Sequence, residues 1–132
     1  MSERGVFRTV VLAAFVVSVV HYTDNYVRFD EYPNDMPDTV TRPSIWQAWV
    51  VFTAFGVASW LLYDRGRRQL AAVCLAVYSV SGLIGPLHYT SGALSEFDVF
   101  QHFNIATDSL AGITCLALAV WLLTHPAPAA TS

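Results

Sequence analysis

Four stretches of this chain, 6–22, 45–63, 69–87 and 100–123, run for close to twenty residues with almost no charge. A helix rising about 1.5 Å per residue needs about that length to cross a hydrocarbon core of ~30 Å. In lipid every backbone N–H and C=O must be satisfied internally, which leaves helices or a closed barrel. The segments lack the apolar/polar alternation of barrel strands, so helices remain. Composition agrees: of 132 residues 55% are apolar and only 13% charged, against about 25% charged in ordinary soluble domains. The expected fold is an all-α integral membrane protein, a four-transmembrane-helix bundle occupying residues 1–124.

Arginine placement predicts the orientation. Arg4 and Arg8 precede the first helix, and Arg65, Arg67 and Arg68 fill the connection between the second and third. The other side carries Asp24, Asp30, Glu31, Asp35, Asp38, Glu96 and Asp98 against Arg28 and Arg42. The positive-inside rule then puts both termini in the cytoplasm of a multi-pass cell-membrane protein. Trp46 and Trp49 fall near the outer boundary and Trp60, Tyr63 and Trp121 near the inner one, as two aromatic belts. The basic start and the apolar run 9–20 resemble a secretory signal, but no small-residue cleavage site follows, so an uncleaved helix is expected. Stopping that helix at His21 would leave too few uncharged residues after Arg8, so it is extended to Val27. The predicted helices are therefore 6–27, 45–63, 69–88 and 100–123. Residues 29–44, with Pro33, Pro37 and Pro43, read as a long external loop, and 125–132 as a disordered cytoplasmic tail. Cys74 and Cys115 lie within helices outside any CxxC pair and read as buried inert thiols.

The tripeptide His21-Tyr22-Thr23 near the outer end of the first helix returns as His88-Tyr89-Thr90 at the end of the third. Trp60-Leu61-Leu62 in the second likewise returns as Trp121-Leu122-Leu123 in the fourth. Two repeated helical hairpins follow as the simplest expectation, related by an axis along the membrane normal. His-Tyr-Thr at the outer end of a membrane helix also resembles part of the signature of the bacterial MHYT sensor domain. In this chain Val20 and Leu87 stand where that signature has methionine, and the family has more helices. The resemblance covers two tripeptides and implies repeated hairpins with a metal at their histidines.

His21, His88 and His102 all fall at the outer ends of different helices. His21, Asp24 and Asn25 share one helical face at i, i+3 and i+4, a spacing that lets a histidine and a carboxylate reach one ion. On the fourth helix Gln101, Asn104 and Asp108 make one stripe and His102, Ile105 and Ser109 the next. Asp108 lies fifteen residues before Leu123, about 22 Å of depth, where a carboxylate costs roughly 2.5–3.5 kcal/mol on insertion scales and turns inward to a partner. The sharper expectation is a metal site built by His21, Asp24, His88 and His102, with Asn25, Gln101, Asn104 and Asp108 orienting those ligands through hydrogen bonds. Three imidazoles and a carboxylate suit zinc, copper or iron. Haem is less favoured because ligands so near the boundary would leave much of the macrocycle in the interface.

Such a centre would make the protein a metal-binding or sensing module, or a metal-dependent hydrolase or oxidase with Asp24 or Asp108 as general base. The alternative is a non-catalytic structural or accessory membrane subunit whose His, Asp and Asn residues form an interhelical hydrogen-bond network. The expected partners are the lipid bilayer and a membrane protein or a second copy of the chain, with no nucleic acid. A transporter fits less well, because no polar path leads past Cys74, Leu116 and Val120.

Overall fold

A computed structural model, describing residues 2–33 and 40–125, holds four α-helices and no strand among those residues. They are α1 (Glu3–Val27), α2 (Arg42–Asp64), α3 (Arg68–Leu83) and α4 (Val99–Thr124), with short 3-10 turns at Phe29–Glu31, Gly85–Thr90 and Leu94–Glu96. Counting α3 on to Thr90, all four are long and apolar enough to cross a membrane, with mean hydropathy between 1.5 and 1.9. Six residues of the expected loop at 29–44 form regular structure: Phe29–Glu31 turn in the 3-10 segment and 42–44 belong to α2. The residues between, 34–39, and the tail at 126–132 lie outside the described residues.

Each helix starts ahead of its apolar segment. For three of them the reason is a cap: Ser2 accepts the Gly5 N–H at 3.2 Å, Thr41 and Ser44 form a reciprocal box, and so do Asp98 and Gln101. Such side chains satisfy N–H groups that the first turn leaves orphaned. Charge marks where apolar character ends, whereas capping marks where helix begins. α3 ends early for the opposite reason. Pro86 has no N–H to donate and crowds the preceding turn, so the chain tightens into the 3-10 segment that carries His88.

The helices form a ring in which each packs on the next and α1 closes on α4. α3 is the best covered, with 44% of an apolar eighteen-residue stretch of its span buried, whereas α2 is peripheral at 11%. The α3–α4 seam is the closest. A Cβ on Gly82 would run into the backbone carbonyl of Asp108, and one on Gly112 would come within 2.8 Å of Leu83 N and Ser79 O. Without hydrophobic drive between helices in lipid, small residues gain association energy through such close packing.

Toward the end carrying the termini, the core is apolar: Phe7, Val11, Leu75, Cys115 and Leu122 are buried together, and Phe7 stacks on Tyr63 with centroids 4.0 Å apart. Arg8 pairs with Asp64 at 2.9 Å and lies over Trp60 at 5.6 Å; Arg68 lies over Trp121 at 5.0 Å. Toward the opposite end, hereafter the histidine end, the interior is polar. Ser18, His21, Asn25, Ser81, Asn104 and Asp108 are buried, while Val16, Val50, Phe103, Leu110 and Ile113 are exposed. That is the reverse of a water-soluble bundle.

Candidate functional site

On α1, residues Ser18, His21, Tyr22 and Asn25 follow at i, i+3, i+4 and i+7, one inward-turned stripe, and all four are buried. Each meets a partner from α3 or the turn after it. Ser18 Oγ lies 3.3 Å from Tyr78 OH, and Ser81 Oγ donates to Tyr22 OH at 3.2 Å. Asn25 Nδ2 bridges two rings, 3.0 Å from His21 Nε2 and 3.3 Å from His88 Nε2. The imidazoles meet edge to face with centroids 5.7 Å apart, so the two His-Tyr-Thr tripeptides bring their histidines together. Asp108 faces the interior from α4, 2% exposed, its Oδ2 at 3.8 Å from His21 Nε2. The insertion-cost expectation for Asp108 thus matches its burial beside a histidine of another helix.

The expected four-ligand set is not gathered. Among the described residues no group of three or more His, Cys, Asp or Glu side chains could hold a metal. Asp24, expected beside His21, is drawn away from it: Tyr32 OH donates to its Oδ2 at 2.6 Å and Arg28 Nη1 lies 3.5 Å from its Oδ1. His102 is spent elsewhere, with Nδ1 2.9 Å from Tyr89 OH and Nε2 3.2 Å from the Leu94 carbonyl. Successive residues of a helix point about 100° apart, so Gln101, Asn104 and Asp108 turn inward while His102 turns toward the 88–98 connection. Gln101 caps α4 and reaches the Glu31 carbonyl at 3.4 Å, tying the two connections together. Asn104 is buried with Nδ2 unpaired among the described residues, as are His21 Nδ1, His88 Nδ1, Asn25 Oδ1 and Asp108 Oδ2.

Above the polar cluster, Arg28 clasps the surface, donating to Glu31 at 2.7 Å and to Asp98. The Arg28 guanidinium, followed by the Gln101 backbone N–H, holds the Asp98 carboxyl below its usual range. A depressed carboxyl stabilises the fold fully above its unfolded pKa of ~3.9 and loses that contribution as pH falls through the lower folded value. Arg28→Gln should accordingly flatten the fall in melting temperature below about pH 4. An unchanged acid limb would remove the clasp from the account.

Beside the His21–Asn25–His88 bridge lies a cavity of about 290 Å³ between α1, α2 and the end of α3, near the lower limit of ligand pockets at ~300 Å³. Phe29, Tyr32 and Pro33 of the first connection line it as a roof, with Tyr32 and His88 ring centroids 5.1 Å apart. The sequence pattern did not single out Ser18, Tyr32, Tyr78 or Ser81 as site residues, and gave Tyr22 only as part of the repeated tripeptide. Extending the His21 stripe one turn back would have found Ser18, and the i, i+3 pair Tyr78/Ser81 is the matching signal on α3. Tyr32 sits in a connection and carries no periodic signal at all. No family model, no curated protein and no solved structure matches this chain, so its likeness to the MHYT domain ends at the two tripeptides.

Proposed function

We propose that this chain is a multi-pass cell-membrane protein, built of two repeated hairpins with both termini cytoplasmic, whose outer half is a small-molecule binding module. The observation that carries this reading is the buried His21 and half-buried His88 bridged by Asn25 beside a cavity, with His21 Nδ1, His88 Nδ1 and Asn25 Oδ1 unpaired among the described residues. Buried polar atoms are nearly always hydrogen-bonded, and a mostly apolar cavity with a few convergent polar groups is the usual form of a ligand site. Support for the orientation comes from the arginines at the terminal end. The repeat is supported by the paired His-Tyr-Thr segments and by Arg8 over Trp60 matching Arg68 over Trp121. The accessory-subunit reading shares the hydrogen-bond network but leaves the cavity without a use.

The test is organic extraction and mass spectrometry of untagged protein purified in mild detergent, comparing wild type with Ala48→Trp, which fills the cavity from the α2 wall. A molecule that copurifies with wild type and is lost from the variant is expected. Identical extracts would overturn the binding reading. Stoichiometric zinc, copper or iron that disappears in His88→Ala would replace it with a metal centre.

Orientation is tested separately. In a Cys74→Ser/Cys115→Ala background, Ala93→Cys should react with an impermeant thiol reagent on intact cells and Gly66→Cys should react only after lysis. The opposite pattern would place the histidine end in the cytoplasm.

A further inference from the structure

The cavity is unequal in its walls. Its end is roofed by the first connection, whereas Ile84 and Leu87 line it and are also 39% and 60% exposed. Both face α2 residues Ile45 and Ala48 across the space. The exposed part of the lining therefore lies on the flank between α2 and α3, in a surface where the exposed residues are apolar. In the membrane placement proposed above, an opening on the flank of the bundle meets lipid, so the occupant is one that dissolves there.

Charge narrows the occupant further. No Asp, Glu, Lys or Arg lines the cavity among the described residues. The two histidines are uncharged as bonded: Asn25 Nδ2 carries two hydrogens and gives one to each Nε2, so each ring keeps its single proton on Nδ1. The side chains lining the cavity consequently carry two N–H groups, His21 Nδ1 and His88 Nδ1, and one acceptor, Asn25 Oδ1, each buried beneath the wall and unpaired among the described residues. A carboxylate, phosphate or ammonium group brought here would lose its hydration with no opposite charge in the cavity lining to replace it. A carbonyl oxygen accepts from N–H donors, and a hydroxyl can both accept from them and donate to Asn25 Oδ1. The aromatic faces of Phe29 and Tyr32 and the aliphatic Ile45 and Ile84 suit the apolar remainder.

We propose that the cavity takes a neutral, lipid-soluble molecule with a carbonyl or hydroxyl head, which enters sideways from the bilayer between α2 and α3 and is held by His21, Asn25 and His88. This rests on the reading of the site as a binding module. The test uses four probes of one alkyl length, a long-chain methyl ketone, alcohol, carboxylate and amine, added to the full chain in lipid nanodiscs while the melting temperature is followed. The ketone and alcohol are expected to raise it saturably, the carboxylate and amine not, and the response should vanish in Ala48→Trp. Asn25→Leu should lose it too. If Asn25→Leu does not fold, His88→Phe, which keeps the ring volume and removes the Nδ1 donor, takes its place.

A saturable response to the carboxylate or amine, as large as to the ketone and abolished by Ala48→Trp, overturns the chemical class while leaving the binding module standing. If no probe responds but the copurifying molecule is still lost from Ala48→Trp, the class again fails alone. If no probe responds and nothing copurifies, both fail. A Leu87→Trp variant, placed at the mouth and away from the polar cluster, should slow the approach of the ketone response to its plateau at least several-fold. An unchanged rate would overturn the lateral entry.

Discussion

Gly112→Leu is expected to destabilise the bundle by about 3 kcal/mol, the upper part of the range for overpacking a well-filled interior. A side chain there would meet Leu83 N and Ser79 O, each 2.8 Å from where its Cβ must sit, and a backbone atom has no rotamer into which to retreat. Gly82→Leu should behave alike, since its Cβ would collide with the Asp108 carbonyl. Gly56→Ala is the informative contrast. Its obstruction at 2.7 Å is the ring edge of Phe15, a side chain that can swing toward lipid, so the loss should stay below ~1 kcal/mol. Denaturant titration in mild detergent reads all three. Equal stability of Gly112→Leu and wild type would mean that α3 and α4 are not held at the spacing on which the burial of Asp108 depends.

The second large effect is expected at Asn25. Asn25→Leu removes both bonds of the bridge and leaves the buried His21 Nε2 and the half-buried His88 Nε2 without that donor, a loss of about 1–3 kcal/mol. Membrane bundles sit toward the lower part of that range, with measured interhelical bonds averaging ~0.6 and reaching ~1.7 kcal/mol. A double-mutant cycle of Asn25→Leu with His88→Leu should return a coupling of about 1 kcal/mol, because the second substitution relieves the penalty left by the first. The cycle with His102→Leu should return none. His102 spends both ring nitrogens on Tyr89 and Leu94 in another part of the histidine end. Coupling of Asn25 to His102 as strong as to His88 would reinstate the three-histidine cluster expected from sequence.

Helix number and order were legible in the chain because they follow from local quantities. An uncharged run of about twenty residues has one economical way to satisfy its backbone in lipid, whatever surrounds it. The inward turn of Asp108 was legible for a similar reason: the desolvation of a carboxylate at that depth is large beside any packing term. The histidines were legible only as a set sharing one end, and three of them were too many. His21 and His88 meet, while His102 and Asp24 are diverted to Tyr89 and Leu94 and to Tyr32 and Arg28.

That sorting was left to the tertiary structure because it turns on helix rotation and on distances of a few tenths of an ångström. Gly82 and Gly112 set how far α4 advances toward α3, and thereby where Asp108 lies against His21. The 3-10 turn forced at Pro86 changes the angle per residue over 85–90, so the side of α3 from which His88 projects could not be read from a wheel drawn at 100°. Tyr32, which closes the cavity and claims Asp24, comes from a connection, where no periodicity links position in the chain to direction in space. The sequence by itself determined a bundle of four apolar helices with three of its histidines and their polar neighbours at one end. Which of those residues face one another, and that they border a cavity, was decided only when the helices packed.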